Sequence, residues 1–353
     1  MTMSPKVIIS ALLLTSAINV SAYLEKVVYG DDNRVLAQNS ENSEYKKWAT
    51  ATAAMISNSD IRFPKEGDKF PDTVTIYDNE NLGSEYRLCK EERFRDIINP
   101  ANCSGFLVEE KGQQYLITAG HCIDSTSSCT DYSWVFGFTS DTASEKYGNR
   151  AFLPKENVYK CAEVVEQVLQ SGSENDYAVI KLDRVVENVT PLSFRKEGKV
   201  DAEAELVVIG HPSGLPTVID DKGSVRDNDN EFYIVADLDT FGGNSGSAVI
   251  NASTGEVEGI LVRGETDYQY VSQDSENGSC RTVNVCEDGE CRGEDVTRIT
   301  NIELLTGVPG PTYDAPVETN GYERYTPWTD PDHWYGDNYD YYNDYDEYDF
   351  LVD

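Results

Sequence analysis

Between Cys103 and Ile299 the chain is a succession of short β-branched and aromatic runs, each ended by Gly, Asp, Asn or Ser. The runs are Gly105 to Val108, Gln114 to Thr118, Trp134 to Phe138, Tyr177 to Leu182, Leu206 to Ile209, Phe232 to Leu238, Ser247 to Asn251 and Val257 to Val262. Each reads as one strand of a sheet whose neighbours arrive through tight turns. No βαβ alternation interrupts them, which argues against a parallel sheet, and the class reads as all-β, a barrel or a sandwich. The 353 residues exceed the commonest domain size, but β proteins of this kind often pass 200 residues as one unit.

The flanks differ from this central block. Lys6, the apolar run Val7 to Ile18 and the small residues Val20-Ser21-Ala22 read as a secretory signal over residues 1–22, with a cut before Tyr23. That run is too short for a permanent membrane span. Residues 23–90 are polar and irregular, with a strand-like run at Val74 to Tyr77 and a helical or extended piece at Trp48 to Ile56. They form a pro-region, a first strand of the domain, or both, ahead of a domain placed at 91–307. From 308 the chain becomes acidic and tyrosine-rich: Pro311 to Asp353 holds 12 acids, one base (Arg324) and nine tyrosines. Such a segment repels itself and is expected to stay disordered as a solvated end.

Charge and cysteine content narrow the function. With 63 acids against 29 Lys and Arg, nucleic acid is a poor partner, because phosphate binding is driven by cationic side chains. Eight cysteines and a signal-like start point to an oxidising compartment, secreted or periplasmic, and to disulfides. A zinc site at Cys280, Cys286 and Cys291 lacks an evident fourth ligand, and no metal or cofactor is implied. Asp220-Asp221-Lys222 and Asp227 to Glu231 are read as solvated loops, not as a calcium site. A monomer is expected.

Acyl transfer from an amide needs a nucleophile, a base within reach and donors for the developing oxyanion. Of the three histidines, His333 lies in the acidic end, and His211, in Gly210-His211-Pro212-Ser213-Gly214, reads as a structural loop residue. His121 ends the apolar strand Leu116-Ile117-Thr118-Ala119-Gly120 and is followed by Cys122. Asp176 heads the apolar run Tyr177 to Leu182, where a half-buried carboxylate can accept an imidazole N–H. In Thr240-Phe241-Gly242-Gly243-Asn244-Ser245-Gly246-Ser247-Ala248-Val249, glycines flank a serine and let nearby N–H groups converge. The N–H groups of Gly243 and Ser245 are the natural oxyanion donors.

The segments LITAGHC, DYAVIKL and GGNSGSAV, in the order His, Asp, Ser, resemble the chymotrypsin-like serine peptidases, especially the bacterial branch that includes the glutamyl endopeptidases. The resemblance covers about residues 100 to 306. It implies two packed six-stranded antiparallel β-barrels with the active site in the cleft between them. It also implies His121 as base, Asp176 as its orienting carboxylate, Ser245 as nucleophile, and a Cys103–Cys122 disulfide. Protein or peptide substrates would be cut through an acyl-enzyme. Cys129 with Cys161 is the expected pairing within the first barrel.

Departures from that pattern bear on activation and specificity. Asn244 stands where trypsin-like relatives carry an Asp that pairs with a freed N-terminus, so activation by such a terminus differs or is absent. Asp239 lies six residues before Ser245, the place at which trypsin-like relatives put a carboxylate at the base of the primary pocket, where it would select Arg or Lys by charge pairing. Thr240, Val262, Arg263 and Gly264 complete the expected pocket. Arg263 either neutralises Asp239 or makes the pocket acid-selective. Thr240 matches a glutamyl-type pocket, but Leu261 and Val262 replace its His. The alternatives are glutamyl-type specificity and a non-catalytic binding protein on the same fold.

Overall fold

The computed structural model describes residues 28–123, 127–143, 148–264, 266–272, 278–286 and 290–313. The signal-like segment and residues 314–353 of the acidic end fall outside the described residues. Twelve strands build two barrels. The first uses β1 (Thr52–Ser57), β2 (Ala101–Glu110), β3 (Gln113–Thr118), β4 (Tyr132–Phe136), β5 (Val158–Gln170) and β6 (Asn175–Leu182). The second uses β7 (Glu205–Gly210), β8 (Val218–Asp227), β9 (Tyr233–Ala236), β10 (Ala248–Asn251), β11 (Glu256–Arg263) and β12 (Glu294–Arg298).

Both rings close with every neighbouring pair antiparallel. Around the first the order is β1-β2-β3-β6-β5-β4. Around the second it is β7-β8-β9-β12-β11-β10. The two halves therefore share one topology. Closure leaves neither barrel with an open edge, which would otherwise be a site for aggregation.

Alternation within the strands shows how the barrels fill and join. Along β7, Leu206 and Val208 enter the core of the second barrel with Ile234, Val249, Leu261 and Val296. Val207 and Ile209 face the other way, into a cluster shared with Phe106, Leu116 and Ala178 of the first barrel. On β10, Val249 points to the first set, and Ala248 and Ile250 point to the second. This period of two follows from the pleat, and it makes one continuous core across the interface.

The segment before residue 91 is woven into this body. β1 is an integral stave of the first barrel, paired on both sides by β2 and β4. Thr73–Tyr77 is a strand of a small sheet with Ile61–Arg62 and Arg150–Pro154, covering Ala54, Ile56 and Val135 on the barrel's outer face. Further upstream, Val28–Tyr29 pairs with Val285–Cys286, and Val35–Leu36 pairs with β8. Residues 28–36 thus form a strap over the second barrel.

Disulfides join Cys89–Cys280, Cys103–Cys122, Cys129–Cys161 and Cys286–Cys291, and no cysteine is free. Asp220 departs from the solvated-loop reading: it lies within β8 and is 2% exposed. Its two oxygens accept the N–H groups of Asp239 and Lys222, which is what lets a strand carry an acid inward.

Candidate active site

β3 and β6 are neighbours with Thr118 opposite Ala178, so the turn after β3 and the head of β6 meet at one rim. The turn, Gly120–Ile123, delivers His121. It needs glycine at 120, where a Cβ would stand 2.1 Å from the Val168 carbonyl oxygen and 3.0 Å from Asp176 Oδ1. That close approach brings the His121 ring to Asp176, with 2.7 Å between Nδ1 and Oδ2. The His121 backbone N–H also donates to Asp176 Oδ1 at 3.1 Å. Asp176 is wholly buried, whereas the His121 side chain keeps 28% of its surface exposed. A buried carboxylate so placed fixes the tautomer that leaves Nε2 as the accessible base.

Across the cleft, Phe241 to Ser247 makes two consecutive turns. Asn244 N–H donates to the Phe241 carbonyl at 3.0 Å, and Ser247 N–H donates to the Asn244 carbonyl at 2.8 Å. The third residue of each turn is a glycine at positive φ, Gly243 at 84° and Gly246 at 90°. With negative φ at Gly242 and Ser245, both are type II turns. Ser245 therefore occupies the second position of the later turn and is half-buried. Neither its N–H nor that of Gly243 has an acceptor among the described residues, the condition for a pair of oxyanion donors.

The turn is pressed against the first barrel. A Cβ at Gly246 would stand 2.0 Å from the Ser104 carbonyl oxygen and 2.3 Å from Thr118 Oγ1. The Ser245 carbonyl accepts from Ser104 N–H at 2.8 Å and lies 3.7 Å from Cys122 Sγ. Ser245 is thus held beside the turn that carries His121. The Cys103, His121 and Cys122 ligand atoms are also close together, but both sulfurs are in the Cys103–Cys122 disulfide, so no thiolate is present to hold a metal.

The expected pocket residues take other partners. Asp239 Oδ1 accepts Tyr29 N–H at 2.8 Å, and Oδ2 accepts Asn33 N–H at 3.1 Å, both from the strap. Burial pushes the Asp239 and Asp220 carboxyls above the ordinary carboxylate range. Arg263 does not reach Asp239; its guanidinium pairs with Asp295 at 3.2 Å and Glu174 at 3.5 Å. Thr240 Oγ1 donates to the buried Glu294 at 2.8 Å. Val262 is buried in the shared core, and Gly264 is half-buried. Asn244 accepts the Ser247 hydroxyl at 3.0 Å within its own turn.

Sequence reasoning passed over Ser104, Glu294 and Arg34. Arg34 is 2% exposed, paired to Asp32 and stacked 3.9 Å over the Phe241 ring. A buried arginine in a polar N-terminal stretch leaves no periodic signal, because its ion-pair partner Asp32 is one more polar neighbour and the ring that buries it, Phe241, comes from elsewhere in the chain. A cavity of about 700 Å³ opens beside Lys46, Phe136, Tyr159 and Arg184, and none of the residues above lines it.

His211 supports the site from behind. It is fully buried, donates from Nδ1 to the Leu215 carbonyl at 2.9 Å and packs on Phe138. Burial lowers its pKa from 6.5 to about 4. The fold therefore holds the neutral ring where the unfolded chain would bind a proton. This contribution to stability is complete above pH 6.5 and is lost as pH falls toward 4, about 3 kcal/mol in all. Denaturant unfolding at pH 7.5 and 4.5 should show a smaller pH-dependent loss in His211→Gln than in wild type. An equal loss in both would refute this role.

Two six-stranded antiparallel barrels thus carry a His–Asp pair and, close to it, a glycine-flanked serine turn. Residues 103–260 match the family model of the trypsin-like peptidase domain, and the chain resembles the trypsin-like serine peptidases, glutamyl endopeptidases among them. A glutamyl endopeptidase of Staphylococcus aureus (strain MRSA252) is 28% identical over 157 residues, 42% of this chain and 40% of the relative. The corresponding protein of strain MW2 is 28% identical over 42% of this chain and 43% of its own. The chain thus spans about two fifths of the curated relatives it matches. Among solved structures, a Glu endopeptidase in complex with MPD aligns at TM-score 0.42 and 18% identity over 80% of this chain and 98% of that one. Human heparin binding protein aligns at TM-score 0.43 and 14% identity over 81% and 100%.

Proposed function

We propose that the protein is a secreted serine endopeptidase acting on protein or peptide substrates. Ser245 Oγ attacks the scissile carbonyl and its proton passes to His121 Nε2. The oxyanion is held by the N–H groups of Gly243 and Ser245, and Asp176 stabilises the imidazolium. The C–N bond then breaks, His121 returns the proton to the leaving amine, and water releases the acyl group from Ser245 by the same steps. The observation that carries this reading is the buried Asp176 carboxylate 2.7 Å from His121 Nδ1, beside a turn with two uncommitted N–H groups. The four disulfides and the signal-like start support secretion. The domain order proposed is a signal at 1–22, a peptidase unit that includes Thr52–Ser57, and an acidic end from 308.

For specificity we favour Arg or Lys at the cleaved position. Support comes from the buried acids at the expected pocket, Glu294 on Thr240 and Asp239 beside it, since a substrate cation would compensate an acid there. Asp239 already accepts two strap N–H groups. The similarity to glutamyl endopeptidases favours a second reading, cleavage after Glu. Digestion of a peptide library separates them: enrichment of Arg and Lys before the cut supports the first, enrichment of Glu replaces it with the second, and absence of cutting leaves a non-catalytic binding protein.

A further inference from the structure

Ser104 sits on β2, fully buried, and every polar atom it owns is spent. Its N–H donates to the Ser245 carbonyl at 2.8 Å, and its carbonyl accepts the Thr118 hydroxyl at 2.7 Å. Its hydroxyl donates to the Gly243 carbonyl at 2.8 Å and accepts the His211 N–H at 2.9 Å. One side chain therefore joins the serine turn, the His211 turn and the first barrel.

The consequence lies in the peptide planes. In a trans peptide the carbonyl and the N–H point opposite ways, so holding one aims the other. The Gly243 N–H belongs to the plane whose carbonyl, on Gly242, accepts Ser213 N–H at 2.5 Å. The Ser245 N–H belongs to the plane whose carbonyl, on Asn244, accepts Ser247 N–H. Ser104 pins the alternate planes, through the carbonyls of Gly243 and Ser245. It also anchors, through His211, the turn that supplies the Ser213 donor. With the Ser104 hydroxyl gone, the Gly243 carbonyl and the His211 N–H lose their shared partner, and the plane carrying the Gly243 N–H keeps only the Ser213 donor, on a turn that is no longer anchored.

We propose that Ser104 is a positioning residue for the oxyanion donors: its hydroxyl fixes the Gly243 carbonyl and the His211 turn and, through the Ser213 N–H on that turn, the orientation of the Gly243 N–H that the tetrahedral intermediate requires. This role rests on the peptidase reading of Ser245. Preorganised donors act on the transition state more than on the ground state. Ser104→Ala is therefore expected to lower kcat about 10- to 100-fold, below the effect of deleting a donor outright, with KM changed less than about threefold.

The test compares wild type, Ser104→Ala and Ser104→Thr on a peptide that the wild type cleaves. Inhibition by a peptide aldehyde, whose adduct carries the tetrahedral oxygen, is read beside inhibition by the cleaved product peptide. Aldehyde affinity should fall in step with kcat in Ser104→Ala, product affinity should hold, and Ser104→Thr, which keeps the hydroxyl, should recover most of both losses. Should Ser104→Ala give no cooperative unfolding transition, Ser104→Gly takes its place with the same expectation. Wild-type kcat and aldehyde affinity in the hydroxyl-free variant would overturn the proposal, as would equal loss of aldehyde and product binding. A wild type that fails to react with a fluorophosphonate at Ser245 would instead overturn the peptidase reading.

Discussion

Ser245→Ala is expected to lower kcat by about 10⁶-fold while leaving substrate affinity near that of the wild type. The alanine keeps the turn, because the backbone contacts at this position, including Ser104 N–H to the Ser245 carbonyl, do not involve the hydroxyl. What disappears is the covalent route. Residues of such a unit act together, so losing the nucleophile costs about as much as losing the whole set, and a residual acceleration of about 10³ to 10⁴ over water survives through the oxyanion donors and binding. Steady-state cleavage of a fluorogenic peptide, with product inhibition as the measure of binding, separates the two quantities. A fall of less than about tenfold would place the nucleophile elsewhere.

Asp176→Asn is expected to cost about 10⁴-fold in kcat. The carboxylate is wholly buried and accepts both the ring N–H and the backbone N–H of His121. An amide of the same shape can present its NH₂ to Nδ1, which favours the tautomer with the proton on Nε2. The base then points a proton, and not a lone pair, at the serine hydroxyl. Folding should survive, because the amide oxygen still accepts from the His121 backbone N–H. Kinetics of the variant beside its thermal unfolding test this: activity near wild type with an unchanged melting temperature would remove Asp176 from the catalytic set.

The parts of this account that the sequence made legible are those that short-range physics governs. β2, β3, β4, β6, β7, β9, β10 and β11 were visible as apolar runs, and the serine turn was visible because two positive-φ positions call for glycine. Strands without that signature went unseen. β5 spends most of its 13 residues part-exposed or exposed, and Lys160, Glu163, Glu166 and Gln167 break up its valines, so no continuous apolar run marks it. β8 holds Asp220-Asp221-Lys222-Gly223, the residues of a turn, and becomes a strand through its pairing with β7, β9 and the strap.

The site divides in the same way. The position of Asp239 was readable, but the direction of its carboxylate is set by Tyr29 and Asn33, more than 200 residues earlier. Arg263 was near enough in sequence to be matched with Asp239, yet Asp295 and Glu174 lie closer in space. Ser104 had no distinguishing mark in the sequence, because its importance comes from three segments that only the closed barrels bring together.

The relation among residues 121, 176 and 245 is tested most directly by treating the protein with a tagged fluorophosphonate and mapping the adduct by peptide mass. One adduct on Ser245 is expected, absent in Ser245→Ala and strongly slowed when His121 is replaced by alanine. An adduct elsewhere, or the same rate of Ser245 labelling without the imidazole, would contradict the assignment.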